Sequence, residues 1–504
     1  MTEPVPMTDR PVPDRPMPDQ LMPSVSVPAV SVPAVSVPEP AAASASAPVG
    51  LDLTGQRAVV VGMKGQMRGR FRRTVETLLD HGAVVEVVTI DSPKDFLAGF
   101  SHERLSVNRL PTLSLERALV NRLLTMFGRP KKYSTTIYSA QPSVSVPDPR
   151  SAPPSALKEA VNKPRRFFSP WTVLRFAIRY LRPYRRIYRW NVFWKESYAA
   201  IVAGPKPLAI FSCDLPGLVG ASRAATELGV PLLHDCHELY LESTSITRLE
   251  KTVLGPIEKK YLHTANSVVC VNASIAREID KRYGLLPVVI RNCAKGASTS
   301  TTTRSLRADA GLSATDKVVL YQGGISIGRG LEMLIRASAK FPSDTWLVML
   351  GYGDHIPQLQ ALGERVGARV RFLPPVPGHE LVAYSREGTI GVIPYEPVSL
   401  NNRLALPNKA FEFPSSGLPI VATAIPELLA LQDIGIAKCF VPNSESSFLE
   451  AVFASLATPT YDAMKSAVVA WAAQNTWEKE AEILLADWSR VLTPALSAGD
   501  RKVV

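Results

Sequence analysis

Lys317-Val-Val-Leu-Tyr-Gln-Gly-Gly324-Ile-Ser-Ile-Gly328-Arg329-Gly330-Leu-Glu-Met-Leu-Ile-Arg336-Ala337 is the stretch on which the fold turns. An apolar, β-branched run ends in glycines, and a helix-like pattern opens directly after them. That is a buried strand feeding a helix, the unit of a parallel α/β sheet. The alternation continues through strands near 345–350, 369–373, 389–394, 418–422 and 436–441. Upstream, the strand Arg57–Gly62, a helix from about Phe71 to His81 and a strand at Val84–Ile90 open a second βαβ series. It resumes near residue 200 with strands Ala209–Cys213, Pro231–Asp235, Ser267–Val271 and Pro287–Ile290. Helices Gly220–Leu228, Arg248–Thr264 and Ser274–Tyr283 lie between them. A Ser/Thr-rich hinge, Ala297–Ser305, separates the two series. Two such units place a cleft between the carboxyl ends of two sheets, where open α/β folds bind ligands.

The 504 residues suffice for two or three domains, and 46% hydrophobic residues exclude a wholly disordered chain. Of 43 prolines, 12 fall in residues 1–50, where Val25-Ser-Val-Pro-Ala29 repeats through Glu39. Proline every fifth residue removes donors and forbids helix, so 1–50 reads as an extended, disordered tail. A similar Pro-rich linker lies at 141–155. The five cysteines form no C-x-x-C, so neither a disulfide framework nor a zinc ribbon is expected. His234-Asp-Cys-His237 lacks a companion ligand pair in sequence and reads as a strand end, so no metal is expected. The N-terminus has no apolar signal segment and no run of about 18 apolar residues occurs, which points to the cytoplasm.

Residues 156–200 carry eleven Lys and Arg against two Glu, nine of the chain's twelve net positive charges. Arg175, Arg179, Arg182, Arg186 and Arg189 recur at helical spacing among Trp171, Phe176, Tyr180, Tyr184, Tyr188, Trp190, Phe193 and Trp194, and Pro183 predicts a kink. Three readings fit: a solvated face packing its aromatics inward, a helix lying on anionic lipid, and a nucleic-acid surface. No nucleic-acid module surrounds the segment, so nucleic acid is not expected, and the lipid reading suits Trp and Tyr at a headgroup layer.

Chemistry concentrates in the second unit. Gly323, Gly324 and Arg329 at a strand-to-helix turn suit phosphate. Leu406-Pro-Asn408-Lys409-Ala-Phe-Glu412 starts another helix, with proline in its first turn and Glu412 one turn in. Together with Met349-Leu-Gly-Tyr-Gly353, Phe372-Leu-Pro-Pro-Val376, Ile390-Gly-Val-Ile-Pro394 and Ser416-Gly-Leu-Pro-Ile-Val421, these phrases resemble the retaining nucleotide-sugar-dependent glycosyltransferases of family four ("group 1"), of GT-B fold. The first unit agrees at Asp214-Leu-Pro-Gly217, His234 to Glu242, Glu258-Lys-Lys-Tyr261, Ser267 to Val271 and Val289-Ile-Arg-Asn292, and Trp477-Glu-Lys-Glu-Ala481 resembles the family's last helix.

The resemblance implies an α/β chain of two Rossmann-like domains facing across a cleft: 51–296 on the acceptor side, with 141–155 and 156–200 inserted, 306–475 for the nucleotide sugar, and a helix at 476–495 crossing back. It implies donor contacts at Gly62, Gly65, Gly323, Gly324, Arg329, Val376, Asn408, Lys409 and Glu412, with Arg329, Asn408 and Lys409 on the diphosphate and Glu412 on the ribose. His237, Arg329 and Glu412 are the implied catalytic set, His237 near the anomeric carbon. Transfer with retention, no metal and no cofactor is the implied reaction, toward a lipid-linked or cell-envelope glycan, on the cytoplasmic membrane face if 156–200 binds lipid. Two positions depart from the pattern: Leu404 stands where the family often has a first glutamate, with Asn401 or Asn402 as substitutes, and Gly324 where it often has arginine. A sugar-nucleotide epimerase and a silent scaffold of the same fold are the alternatives.

Overall fold

The computed structural model describes residues 51–63, 69–90, 100–110, 170–296 and 301–500, the side chains of 170–182 and 498–500 excepted. The proline tail, the 141–155 linker, residues 156–169 and Gly65 lie outside the described residues. The chain has the GT-B fold, two parallel-sheet α/β domains.

The first sheet has seven strands in the order β3-β2-β1-β4-β5-β6-β7. These are β1 (Arg57–Val61), β2 (Val84–Ile90), β3 (Leu105–Leu110), β4 (Ala209–Cys213), β5 (Leu232–Cys236), β6 (Ser267–Cys270) and β7 (Val288–Val289). The second sheet has six, in the order β10-β9-β8-β11-β12-β13. They are β8 (Lys317–Gly324), β9 (Thr345–Tyr352), β10 (Val370–Leu373), β11 (Ile390–Ile393), β12 (Ile420–Thr423) and β13 (Ala437–Phe440). Strand order reverses beside β1 and beside β8, and at these two switch points the chain leaves room for a ligand past the strand ends. The register Cys213↔Asp235 between β4 and β5 sets the floor of the first domain's side.

β3 was not expected. Its sequence, Leu105 to Leu110, alternates apolar with polar residues and is only partly buried, as an edge strand is, so it lacks the apolar run that marks the inner strands. The helix Asp214–Leu228 begins six residues before the expected Gly220. Pro216 falls in its first turn, where no amide is needed, so it is tolerated rather than terminating the helix.

The basic aromatic segment is one helix, Pro170–Ala203, that runs on through Pro183. A proline removes one backbone bond from a ladder of many, and packing holds the rest. Trp190, Phe193, Trp194 and Ile201 are buried in the first domain's core. The helix lies so close to Asp214–Leu228 that a Cβ on Gly220 would come within 2.7 Å of the Trp194 carbonyl. Tyr184 and Tyr188 are 60% and 65% exposed on the outer side, and Arg186 reaches Glu250 at 3.3 Å. Among the described side chains, from Pro183 on, the helix is divided between an inner face in the core and an outer face that meets solvent.

The last helix, Trp477–Asp500, returns to the first domain. Trp477, Leu484, Trp488 and Leu492 join the core of Val60, Phe71 and Phe211, with the Trp488 ring 5.0 Å from Phe211. The buried carboxylate of Glu480 is held by the Arg291 guanidinium and by the Arg291 amide at 2.6 Å. Among the described residues no helix is long and apolar enough to cross a membrane.

Candidate functional site

A cleft of about 330 Å³ lies between the two sheets, lined by Gly69, Arg70, His237, Val271 and Asn292 from the first domain and by Leu406 and Asn408 from the second. Its two walls are built differently.

The second domain gathers its charged groups behind the lining residues Leu406 and Asn408. Lys409 opens the helix Lys409–Ser415, and its ammonium lies 5.4 Å from the centroid of the Tyr321 ring, over Gly323. Gly323 has φ +117°, and a Cβ there would sit 3.0 Å from Nζ, so both the backbone turn and the lysine's seat require glycine. Burial lowers the Lys409 pKa to about 8; Glu412 opposes that shift and the Arg329 charge adds to it. Arg329 donates from Nε to the Ser326 hydroxyl at 3.1 Å. Glu412 accepts from Gln322 Nε2 at 2.7 Å, and Ser385 donates to the other end of that amide at 2.9 Å. The chain Ser385–Gln322–Glu412 fixes the carboxylate's position while leaving it acceptor capacity. The helix begins its backbone bonding with the Ala410 and Phe411 amides, which bond Pro407 and Asn408 carbonyls.

The first-domain wall is a hydrogen-bonded polar cluster. His237 follows β5, and its Nε2 lies 2.9 Å from Asp235 Oδ2, which Arg70 Nε also meets at 2.9 Å. Its Nδ1 is 3.3 Å from Cys213 Sγ, and its amide donates to Asp214 Oδ1 at 3.0 Å. The neighbouring His234 faces the other way: it bonds Ser212 Oγ at 2.7 Å, and burial pulls its pKa down to about 4, so it is a neutral core histidine. Cys236 is likewise buried, its thiol pushed well up by desolvation.

The structure thus groups Gly323, Arg329, Lys409 and Glu412 at the carboxyl end of β8 and the start of one helix, with Asn408 at the cleft edge and His237 across from it. Gly324 lies beside them, its carbonyl taking the Tyr321 hydroxyl at 2.7 Å. Val376 packs against the second domain's core. Gly62 is buried at the end of β1, where a Cβ would be 2.7 Å from the Phe71 ring; the glycine that lines the cleft on this side is Gly69. Asn401 and Asn402 are committed elsewhere. Asn401 accepts from the Leu239 amide at 2.9 Å and donates to Glu238 at 3.0 Å, bridging the domains, and Asn402 donates to the Glu396 carbonyl.

Three residues were not named as site candidates in the sequence reading. Arg70 is almost wholly buried beneath Asp235. Arg73 donates to Asn292 Oδ1 at 2.6 Å, and Asn292 Nδ2 donates to Asn408 Oδ1 at 2.5 Å, so a polar chain crosses the cleft. Desolvation lowers the Arg73 pKa, with Glu412 the largest opposing charge. The signal for Asn292 was its place at the end of the Val289–Asn292 phrase; Arg70 and Arg73 had none, because arginines early in a helix usually face water.

Residues 316–458 match the family model for glycosyl transferases, group 1. D-inositol 3-phosphate glycosyltransferases of Mycobacterium tuberculosis and Mycobacterium bovis are 27% identical over 297 residues, 55% of this chain and 60% of theirs. The chain thus spans about 60% of the length of these curated relatives. Sucrose-phosphate synthase from Thermosynechococcus elongatus superposes with a TM-score of 0.57 at 18% identity, over 87% of this chain and 100% of that one. Anabaena Alr3699/HepE, solved with UDP and glucose, gives 0.57 at 14% identity, over 86% and 100%. These structures share the fold.

Proposed function

We propose, for a chain whose residues 316–458 match the family model for glycosyl transferases, group 1, and whose two domains have the GT-B arrangement, that it moves a sugar from a nucleotide-sugar donor to an acceptor held by the first domain. The observation that carries this reading is the grouping of two cations, Arg329 and Lys409, with one positioned carboxylate, Glu412, beside the start of a helix whose preceding residue, Asn408, lines the cleft between the two sheets.

Loss of a nucleoside diphosphate needs positive charge where the leaving oxygens develop charge, and partly desolvated cations supply it best. Lys409 and Arg329 take that role, and the Lys409 pKa near 8 leaves it mostly charged at neutral pH. Glu412, its orientation set by Gln322, accepts from ribose hydroxyls. His237, on the facing wall, borders the space for the transferred sugar. With these groups no metal is needed on the diphosphate, and departure and attack on one face of the sugar give retention. That UDP occupies Anabaena HepE supports a nucleotide donor of this kind.

A lipid-linked or cell-envelope glycan is the acceptor class that the basic helix favours. Among its described side chains the outer face is the one available for lipid, and deleting 156–200 would remove Trp190, Phe193 and Trp194 from the core and unfold the domain. The informative variant is Tyr184→Ser with Tyr188→Ser: sedimentation with anionic vesicles should fall while the melting temperature holds. Equal sedimentation by both proteins would remove the lipid argument.

The function itself is tested by thermal shift with UDP, GDP, ADP and their sugars, followed by product analysis. One nucleotide should stabilise the protein, and its sugar should be transferred with retained configuration. Turnover of the nucleotide sugar without acceptor would indicate an epimerase. Stabilisation by none of them, with Glu412→Ala and Arg329→Ala inert in vivo, would indicate a scaffold and refute the reading.

A further inference from the structure

Arg73 sits one turn inside the first-domain helix Gly69–Asp80, far in the chain from Arg329, Lys409 and Glu412, yet it begins the hydrogen-bonded path that ends at Asn408. Its Nη1 donates to Asn292 Oδ1 at 2.6 Å, and Asn292 Nδ2 donates to Asn408 Oδ1 at 2.5 Å. We propose, resting on the nucleotide-sugar reading above, that Arg73 is a positioning residue: through Asn292 it holds the Asn408 side-chain amide as an N–H donor toward the diphosphate of the nucleotide sugar.

The path can run in only one direction. A side-chain amide has an acceptor at one end and two donors at the other, so two asparagines on their own can pair either way round. A guanidinium has donors only. With Arg73 at the head, Asn292 must turn Oδ1 toward it and Nδ2 toward Asn408, and Asn408 must answer with Oδ1. What is left over is Asn408 Nδ2, which makes no hydrogen bond among the described residues. Asn292 and Asn408 both line the cleft of about 330 Å³, so these two N–H groups are presented there.

Arg73 is itself anchored. Its guanidinium lies over the ring of the buried Trp477, 5.2 Å from the centroid. The Trp477 amide donates to the Ala294 carbonyl at 2.8 Å, two residues past Asn292, so the ring that seats the cation is tied to the segment carrying the amide it holds. A cation kept on an aromatic face away from water has little freedom to release its partner. Asn408 precedes the helix Lys409–Ser415, where an asparagine oxygen often caps the following amides; here that oxygen bonds Asn292 and makes no cap.

The chemistry of the presented group selects its partner. Phosphate oxygens of a diphosphate ester accept hydrogen bonds, and Asn408 Nδ2 adds two donors next in the chain to Lys409, whose ammonium also feels the Arg329 charge. Were the amide turned round, a carbonyl oxygen would stand in that place and repel the same phosphate. The direction that Arg73 imposes is therefore the one that an anion requires.

The test is calorimetric binding of UDP, GDP and ADP to the full chain, continued with whichever of them binds. Arg73→Met, Asn292→Leu and Asn408→Ala should each weaken binding about tenfold to a hundredfold. In Asn408→Ala, adding Arg73→Met or Asn292→Leu should cost nothing more, because all three act through one amide. A direct contact of Arg73 with phosphate, or a role in stability alone, would add its own factor in that background, so additive losses would overturn the assignment. Wild-type affinity in Asn292→Leu would overturn it as well. That variant leaves Arg73 over Trp477, and so decides even where Arg73→Met does not fold. Binding of none of the three nucleotides by the wild type would refute the nucleotide-sugar reading and this role with it; binding by the wild type that the variants leave unchanged would refute the role of Arg73 alone.

Discussion

The seat of Lys409 makes donor binding depend on pH in a way that can be calculated. Its ammonium is packed over Gly323 and against the Tyr321 ring, so burial, reinforced by the Arg329 charge, lowers its pKa to about 8 from the usual 10.5. About nine-tenths of the free protein then carries the charge at pH 7 and about one-tenth at pH 9. A bound diphosphate compensates the buried charge and raises the pKa again, so binding requires the protonated form. The Kd for the nucleoside diphosphate should therefore be about tenfold weaker at pH 9 than at pH 7, with proton uptake on binding in that range. The phosphate's own last ionisation, near pH 6, lies below the window.

Calorimetry with UDP in two buffers of different ionisation enthalpy reads both quantities. Lys409→Met should bind weakly with no pH slope, whereas Arg329→Met should bind weakly but retain the slope, its midpoint moved to higher pH because a neighbouring positive charge is gone. The sign for stability is opposite to the binding effect. A lysine whose folded pKa lies below its unfolded one destabilises the free protein while protonated, and that cost fades as pH rises from about 8 toward 10.5. A flat Kd between pH 7 and 9 in the wild type, or an unchanged slope in Lys409→Met, would refute the assignment of Lys409 to the diphosphate.

Glu412→Gln keeps the shape of its neighbourhood and a partner for Gln322, so the melting temperature should hold while donor affinity falls about tenfold to a hundredfold, the value of a hydrogen bond to a charged group. Asn401→Ala leaves the buried Leu239 amide without its acceptor and should lower unfolding free energy by about 1–3 kcal/mol in chemical denaturation. Trp488→Ala opens a cavity against Phe211 and should cost about 3–5 kcal/mol, read by the same denaturation, because the last helix is part of the first domain's core.

The sheets were legible because parallel strands buried on both faces read as unbroken apolar runs, as Ala209–Cys213 and Lys317–Gly324 do. β3 was not, since an edge strand carries only alternation, and residues 91–99, just before it, lie outside the described residues. The basic helix was half legible. Its spacing gave a helix, but a sequence does not say which arginine and tryptophan faces turn inward, and close contact at Gly220 decided that. On the second-domain wall the residues are near in sequence to a strand end or a helix start, so local pattern sufficed to name Arg329, Lys409 and Glu412. The first-domain wall is assembled from Arg70, Asp214, Asp235 and Asn292, which are distant in sequence, and only sheet register brings them together.

Leu404 shows how a departure from a family's pattern can have its own physical cause. Where the resemblance leads one to look for a carboxylate, Leu404 packs with Leu400 against the first domain's hydrophobic core, and its carbonyl takes the Asn272 side-chain amide at 2.8 Å. Asn401, one turn earlier, bonds Leu239 and Glu238, and Glu427 accepts the Ser274 amide at 2.8 Å. This part of the second domain is thus occupied in docking the two domains together. A glutamate at 404 would place a partly desolvated charge against Leu400 and the apolar residues beneath it, which is unfavourable. The structure concentrates its charge away from this docking contact, at Arg329, Lys409 and Glu412.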